Sequence, residues 1–121
     1  MSSGRPEELD VVQRAYDLIL WEVPLITRFP APYRVVLGDR MQTTLYQVLE
    51  KLIEARYDRS RRTGLLREVN LELEKARYHL RLAGDLGLWD VRRREHAAGM
   101  IDDVGRRVGT WLGRCAGRRA T

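Results

Sequence analysis

Between Leu66 and Ala83 an apolar residue returns at every third or fourth position: Leu66, Val69, Leu73, Ala76, Leu80 and Ala83. Alternating threes and fours average close to one α-helical turn, so these side chains line one face of a helix over about Leu65–Ala83. The rhythm occurs three more times. Leu9, Val12, Tyr16, Ile19, Val23 and Ile26 predict a helix from about Glu7 to Arg28. Met41, Leu45, Val48, Leu49 and Leu52 predict another, from about Tyr33 or Gly38 to Arg59. Ala97, Ile101, Val104, Val108, Leu112 and Cys115 predict the last, from about Asp90 to Arg114. No segment shows the period of two that marks a half-buried strand.

The breaks fall where turn chemistry requires them. Phe29-Pro30-Ala31-Pro32 carries two prolines, which disfavour helix at and just before themselves. Asp58 to Gly64 is a polar run containing the second turn, and Gly84-Asp85-Leu86-Gly87 supplies a glycine for a left-handed cap. Asp90 is placed to cap the last helix. Pro24, inside the first pattern, should kink its final turn. Four amphipathic helices with short connections make an all-α, antiparallel up-down-up-down four-helix bundle. The 121 residues suit one domain, with the bundle over 7–115, a disordered start over 1–6 and a basic tail over 116–121.

Two features exceed what a monomeric bundle needs. A second apolar stripe marks three helices: Val11, Leu18, Trp21 and Leu25 on the first, Tyr46, Ile53 and Tyr57 on the second, Leu71, Tyr78 and Leu82 on the third. A helix apolar on two sides must bury both, which in a short chain points to another subunit. Leu18, Trp21, Tyr46, Ile53, Tyr57, Leu71, Tyr78 and Leu82 are therefore candidates for an oligomer or partner interface. The alternative is that some of them only widen the core. The other feature is Gly105, Gly109, Gly113 and Gly117, four apart on the last helix. Each costs ~1 kcal/mol against alanine in a helix, which suggests close approach of another backbone.

Charge is distributed unevenly. The chain has 20 Arg and two Lys. Residues 1–60 hold 8 basic and 9 acidic side chains, whereas residues 61–121 hold 14 and 8. This asymmetry points to a polyanionic partner, since guanidinium groups make planar two-pronged contacts with phosphate. Charge alone leaves a second reading open, in which arginine reflects composition and is merely solvated.

Catalytic and metal sites find no support. The single Cys115 and the two histidines, His79 and His96, fall short of a zinc ligand set. Glu50/Glu54 and Glu68/Glu72 have the helical spacing of di-iron carboxylates, but the accompanying Glu-x-x-His is missing. Asp102 and Asp103 have Arg106 and Arg107 four residues on, which predicts surface ion pairs rather than acid–base chemistry. No phosphate-binding glycine loop is present. The reading is a non-enzyme with no cofactor and no metal. With no stretch of ~20 apolar residues and no signal-peptide pattern at Met1 to Glu8, a cytoplasmic location and no membrane association are expected.

Several segments resemble one family. Tyr16-Asp17-Leu18-Ile19-Leu20-Trp21, Phe29-Pro30, Tyr33-Arg34 and Leu37-Gly38-Asp39-Arg40-Met41-Gln42 are similar to the accessory variability determinant (Avd) proteins of diversity-generating retroelements. So are Leu49-Glu50-Lys51-Leu52-Ile53-Glu54-Ala55, Leu73-Glu74-Lys75-Ala76-Arg77, Leu80-Arg81-Leu82-Ala83 and the late segment from Val104 to Leu112. The likeness runs from about Arg14 to Cys115. One departure is Ala31-Pro32, where similar sequences place a basic residue and a serine.

The resemblance implies a ring-shaped homo-oligomer, typically a pentamer, of four-helix protomers. It implies association with a reverse transcriptase and with RNA and DNA, in support of mutagenic reverse transcription. A sister group with the same bundle, encoded in intervening sequences of 23S ribosomal RNA genes, offers the alternative of a protein-binding scaffold without nucleic-acid function. Nucleic-acid contacts are expected to be electrostatic and largely independent of sequence. The candidates are Arg59, Arg61 and Arg62 at the second turn, Arg92, Arg93 and Arg94 at the start of the last helix, then Arg106, Arg107, Arg114, Arg118 and Arg119.

Overall fold

A computed structural model describes residues 6–120, with side chains described through Cys115. Helix α1 spans Pro6–Ile26. A helical turn at Ala31–Tyr33 and a π-helical turn at Arg34–Gly38 lead into α2, Asp39–Tyr57. Helix α3 spans Arg62–Asp85 and α4 spans Val91–Ala120. Among the described residues there is no strand. Each helix packs on its chain neighbour, and α1 also packs on α4, which closes the bundle. Short connections therefore give the up-down-up-down order that the periodicity predicts. Helix α4 continues to Ala120, beyond the expected end at Arg114. The expected disordered start lies outside the described residues except for Pro6, which is helical.

The connections follow from local chemistry. The last turn of α1, just past Pro24, tightens, with the amides of Arg28 and Phe29 bonding carbonyls three residues back. Pro30 occupies the cap position of the next turn with extended backbone, and Pro32 sits within that first turn, where a missing N–H costs nothing. The break is thus shorter than the two prolines suggest. The π-turn that follows buries Leu37 and Gly38 while leaving Val35 and Val36 exposed. A Cβ on Gly38 would lie 3.0 Å from Ile26 Cγ2, so a larger residue here would press on the buried Ile26. At the end of α3, Gly87 adopts a φ of 75°. The amide of Leu88 bonds Ala83 O at 2.8 Å and that of Gly87 bonds Gly84 O at 3.0 Å, a Schellman closure. Asp90 caps α4, its Oδ1 accepting from the Arg93 amide at 2.8 Å.

The core faces of α2 and α3 match the pattern read from the sequence. Met41, Leu45, Val48 and Leu52 meet Leu66, Val69, Leu73, Ala76 and Leu80, all buried. Helix α4 adds Ala97, Ile101, Val104 and Val108, and also Trp111, which the periodicity passed over.

Helix α1 is turned relative to expectation. Val11, Ala15, Leu18, Glu22 and Ile26 face the core, while Leu9 and Tyr16 are about half exposed at 51% and 52%. Val12, Ile19 and Val23 lie half-buried beside them. The seam with α4 fits this placement. Arg14 Nη1 reaches Asp103 Oδ2 at 2.9 Å, and Arg107 Nη1 reaches Asp10 Oδ2 at 2.8 Å. With residues 10 and 14 fixed toward α4, the row containing 11, 15, 18 and 22 points inward. That row includes a glutamate and an alanine, so an apolar count underrates it.

Glu22 is 1% exposed, its Oε1 lacks a hydrogen-bond partner, and burial pushes its carboxyl up from 4.5 to about 8. It is neutral at pH 7 in the folded protein but ionised in the unfolded chain. The unfolded state loses its proton first, so stability contributed by neutral Glu22 is complete below about pH 4.5. It declines by ~1.4 kcal/mol per pH unit until the folded group also ionises. The midpoint of urea unfolding should therefore fall between pH 5 and pH 8. Glu22→Gln should flatten that profile, and an equally steep fall in the variant would refute the assignment.

Candidate nucleic-acid interface

A guanidinium can meet a phosphate readily only if no carboxylate or carbonyl already holds it. The fold sorts the arginines by this criterion. Arg61 pairs with Glu54 at 3.3 Å. Arg62 turns inward: its Nε donates to Ala55 O at 2.6 Å and its Nη2 to Arg56 O at 2.8 Å, closing the last carbonyls of α2. Its guanidinium carbon stands 5.8 Å from the centre of the Trp111 ring. Arg106 bonds Asp103 at 3.1 Å, and Arg107 bridges Asp10 and Asp103. Burial alone would raise the Asp103 carboxyl, but the hydrogen bond and charge of Arg107, with Arg14, hold it below its ordinary value. Asp102 does not pair along its own helix. It binds Arg77 of α3 at 3.0 Å.

Arg94 is half-buried, 4.0 Å from Asp85, with its stem against Gly84. Arg114 is half-buried, its Nε enclosed without a partner. Arg59, Arg92 and Arg93 remain exposed with side chains engaged by no carboxylate among the described residues. Arg118 and Arg119 lie outside the residues whose side chains are described. The candidates thus separate. Arg61, Arg62, Arg106 and Arg107 are committed to the fold, and Arg59, Arg92 and Arg93 are available.

Of Arg67, Arg77 and Arg81 on α3, which the sequence offers to nucleic acid, reverse transcriptase or a subunit, Arg67 is exposed and without an ion pair among the described residues. Sequence reasoning missed three others, Arg28, Arg34 and Arg40, which are also exposed and without ion pairs among the described residues. Each of these three stands alone in the sequence, so a search for arginine runs passes over them.

The apolar candidates also separate. Leu18 is wholly buried in its own protomer. Trp21 is half-buried, with ring centres 6.2 Å from Trp89 and 4.5 Å from His96. Leu18 is thus closed to a partner, and Trp21 keeps only part of its surface open, because α1 is rotated so that this side faces the core and α4. Tyr46, Ile53, Tyr57, Leu71, Tyr78 and Leu82 are exposed, from 40% at Tyr46 to 66% at Tyr57. Helix α1 contributes Leu9, Tyr16 and Leu20 in place of Leu18 and Trp21. Of the α4 glycines, only Gly105 has a close neighbour, Arg77 Nη2 at 3.2 Å from a built Cβ. Gly109 and Gly113 face open space, so no backbone of the same protomer approaches them, and Gly117 is outside the described side chains.

Two clefts carry polar side chains. Between α2 and α3, Glu72 is held by Lys51 and Lys75, each at 3.5 Å. Of the glutamates spaced like di-iron ligands, Glu68 and Glu72 therefore meet lysines, and Glu54 meets Arg61. His79 lines the same cleft, its basicity lowered by burial and by the charge of Arg40. Between α1 and α4, Arg14, Asp17, Glu95, His96 and Asp103 line a smaller depression. Among the described residues no three His, Cys, Asp or Glu side chains could hold a metal ion. Among the described residues no helix is long and apolar enough to cross a membrane.

Comparison with family models gives a match to the one described as bAvd-like, over residues 9–115. The chain belongs to the bAvd-like family. The match runs from the second turn of α1 to Cys115 in α4, so it takes in all four helices. This is the family of the Avd accessory proteins of diversity-generating retroelements, and membership associates this bAvd-like protein with retroelement components. A comparison with curated proteins finds no match.

The inward placement of Arg62 has a measurable consequence. Arg62→Ala should cost about 2–3 kcal/mol of stability, through two charge-assisted hydrogen bonds and the Trp111 contact. Arg62→Lys should recover less than half, since an ammonium cannot fork to two carbonyls. Urea denaturation checks both. Nucleic-acid affinity of the folded variants should change less than threefold.

Proposed function

We propose that this protein is a non-catalytic accessory subunit that binds the retroelement reverse transcriptase together with template RNA and cDNA. The observation that carries the reading is the family match across residues 9–115, joined to the four-helix fold. The unpartnered arginines support nucleic-acid binding. They would neutralise phosphates and release counterions, a contact that carries little sequence information.

The exposed apolar residues support self-association, which we propose takes the form of a ring, five subunits by family resemblance. Leu9, Tyr16 and Leu20 are exposed on α1, Tyr46, Ile53 and Tyr57 on α2, and Leu71, Tyr78 and Leu82 on α3. Exposed apolar residues on three helices of one protomer would suit a head-to-tail contact, which closes into a ring when the rotation allows. A ring presents each arginine once per subunit, so weak contacts add through avidity.

Mobility-shift titration on RNA and DNA tests the nucleic-acid part. Binding should be present at 50 mM salt and weaker by a hundredfold or more at 200 mM, as expected for several phosphate contacts. An absence of binding at low salt would remove that half of the reading and leave the scaffold alternative. Light scattering tests assembly. The native chain should run as an oligomer, and Leu71→Asp with Tyr78→Asp should shift it to smaller species; a clean native monomer would refute self-association.

A further inference from the structure

We propose that one end of the bundle, built from the α1–α2 connection and the start of α4, is the surface that docks a nucleic-acid phosphate backbone. The proposal rests on the nucleic-acid reading above and adds where the contact is made.

The aromatic side chains fix the geometry of this end. Phe29, in the α1–α2 connection, lies 5.8 Å from Trp89 in the α3–α4 connection, and Trp21 at the end of α1 lies 6.2 Å from the same ring. Residues 27–40 and 86–94 therefore sit together. Those two segments contain six arginines, Arg28, Arg34, Arg40, Arg92, Arg93 and Arg94, against two carboxylates, Asp39 and Asp90. Asp90 is occupied as the cap of α4. Five of the arginines are exposed, and among the described residues none of the five has a carboxylate partner.

The opposite end differs. There the second turn holds Arg61 on Glu54 and Arg62 on two carbonyls, which leaves Arg59 as the exposed, unengaged arginine of that turn. Along the sides, Arg14, Arg77, Arg106 and Arg107 are held by Asp10, Asp102 and Asp103. On the sides and at the far end a phosphate meets single unengaged arginines, Arg67 and Arg59, among arginines that carboxylates or carbonyls already hold. At the near end five exposed arginines have no carboxylate to give up among the described residues.

Direction favours the same end. Cα–Cβ bonds in a helix tilt toward its N-terminus, and α2 and α4 both start here. Arg92 and Arg93 stand exposed in the first turn of α4, and Arg40, in the first turn of α2, is exposed at the mouth of the α2–α3 cleft beside His79. Four helices at ordinary spacing make a face roughly 20 Å across. A duplex crossing it presents about ten phosphates, enough to engage all five guanidinium groups. The exclusive use of arginine here, with its planar fork, fits paired phosphate oxygens. Val35, Val36, Leu86 and Val91 are also exposed at this end and give apolar contact to sugars and base edges.

The test replaces Arg28, Arg34, Arg92 and Arg93 together by Gln. A control replaces Arg59, Arg61, Arg67 and Arg106 by Gln, removing the same charge elsewhere. All eight are exposed, and circular dichroism verifies folding. Both are titrated, beside the native chain, on an unrelated-sequence RNA and a duplex DNA across a salt series. The end variant should bind at least a hundredfold more weakly at 100 mM salt, with the log–log salt slope on duplex reduced by about 3 to 4. The control should lose less than tenfold. An end variant that binds like the native chain, or a control that loses more, overturns this proposal and leaves the nucleic-acid reading standing. Absence of binding by the native chain overturns both. If the end variant keeps nucleic acid but no longer retains purified reverse transcriptase, the surface belongs to a protein partner and the proposal falls.

Discussion

The rotation of α1 about its own axis is the constraint on which the remaining surface depends, and the seam of Asp10, Arg14, Asp103 and Arg107 accompanies it. These groups are partly exposed, and such pairs contribute under ~1 kcal/mol each. Burial of Val11, Leu18 and Ile26 contributes more, at roughly 1.5–3 kcal/mol per side chain. Burial thus holds the helix to the bundle, and the ion pairs with α4 fit the row that lies inside. Once residues 11, 15, 18 and 22 are inside, Leu9, Tyr16 and Leu20 must be outside. The exposed apolar surface of α1, and with it part of the proposed subunit contact, follows from that placement.

The same seam governs the charge. Many of the described arginines serve the protein's own architecture. Arg77 ties α3 to α4 through Asp102, and Arg62 closes the carbonyl end of α2 while covering Trp111. A basic protein can therefore be nearly neutral over much of its flank. Net charge is not what a polyanion meets; it meets the guanidinium groups left over after the fold has engaged the rest. Five of those lie at the bundle end, where aromatic packing of Phe29, Trp21 and Trp89 brings together segments that are far apart in the chain, and Arg59 and Arg67 lie elsewhere. The proposed assembly, on apolar sides, and the proposed nucleic-acid contact, at a cationic end, would not compete for the same surface.

Glu22 marks a different compromise. It occupies a core position, at the end of the bundle where α1 terminates, and remains there by staying protonated. An apolar residue would pack without a titration. The glutamate makes the stability of this bundle depend on pH where an ordinary helical core would not.

The sequence by itself determined that the chain is four helices, which faces of α2, α3 and α4 are buried, where Asp90 and Gly87 stop and start them, and to which family it belongs. These are local properties. Periodicity, capping and turn preference act within a few residues and need no partner element. Tertiary structure alone decided the rotation of α1, because Asp10 and Asp103 are close only after the helices pack. It alone decided which arginines are free, since Arg62 and Arg107 are adjacent in kind to Arg59 and Arg92 and differ only in what the fold places beside them. Apolar periodicity tells which side of a helix avoids water. It cannot tell, for a helix with two such sides, which one the packed bundle will enclose.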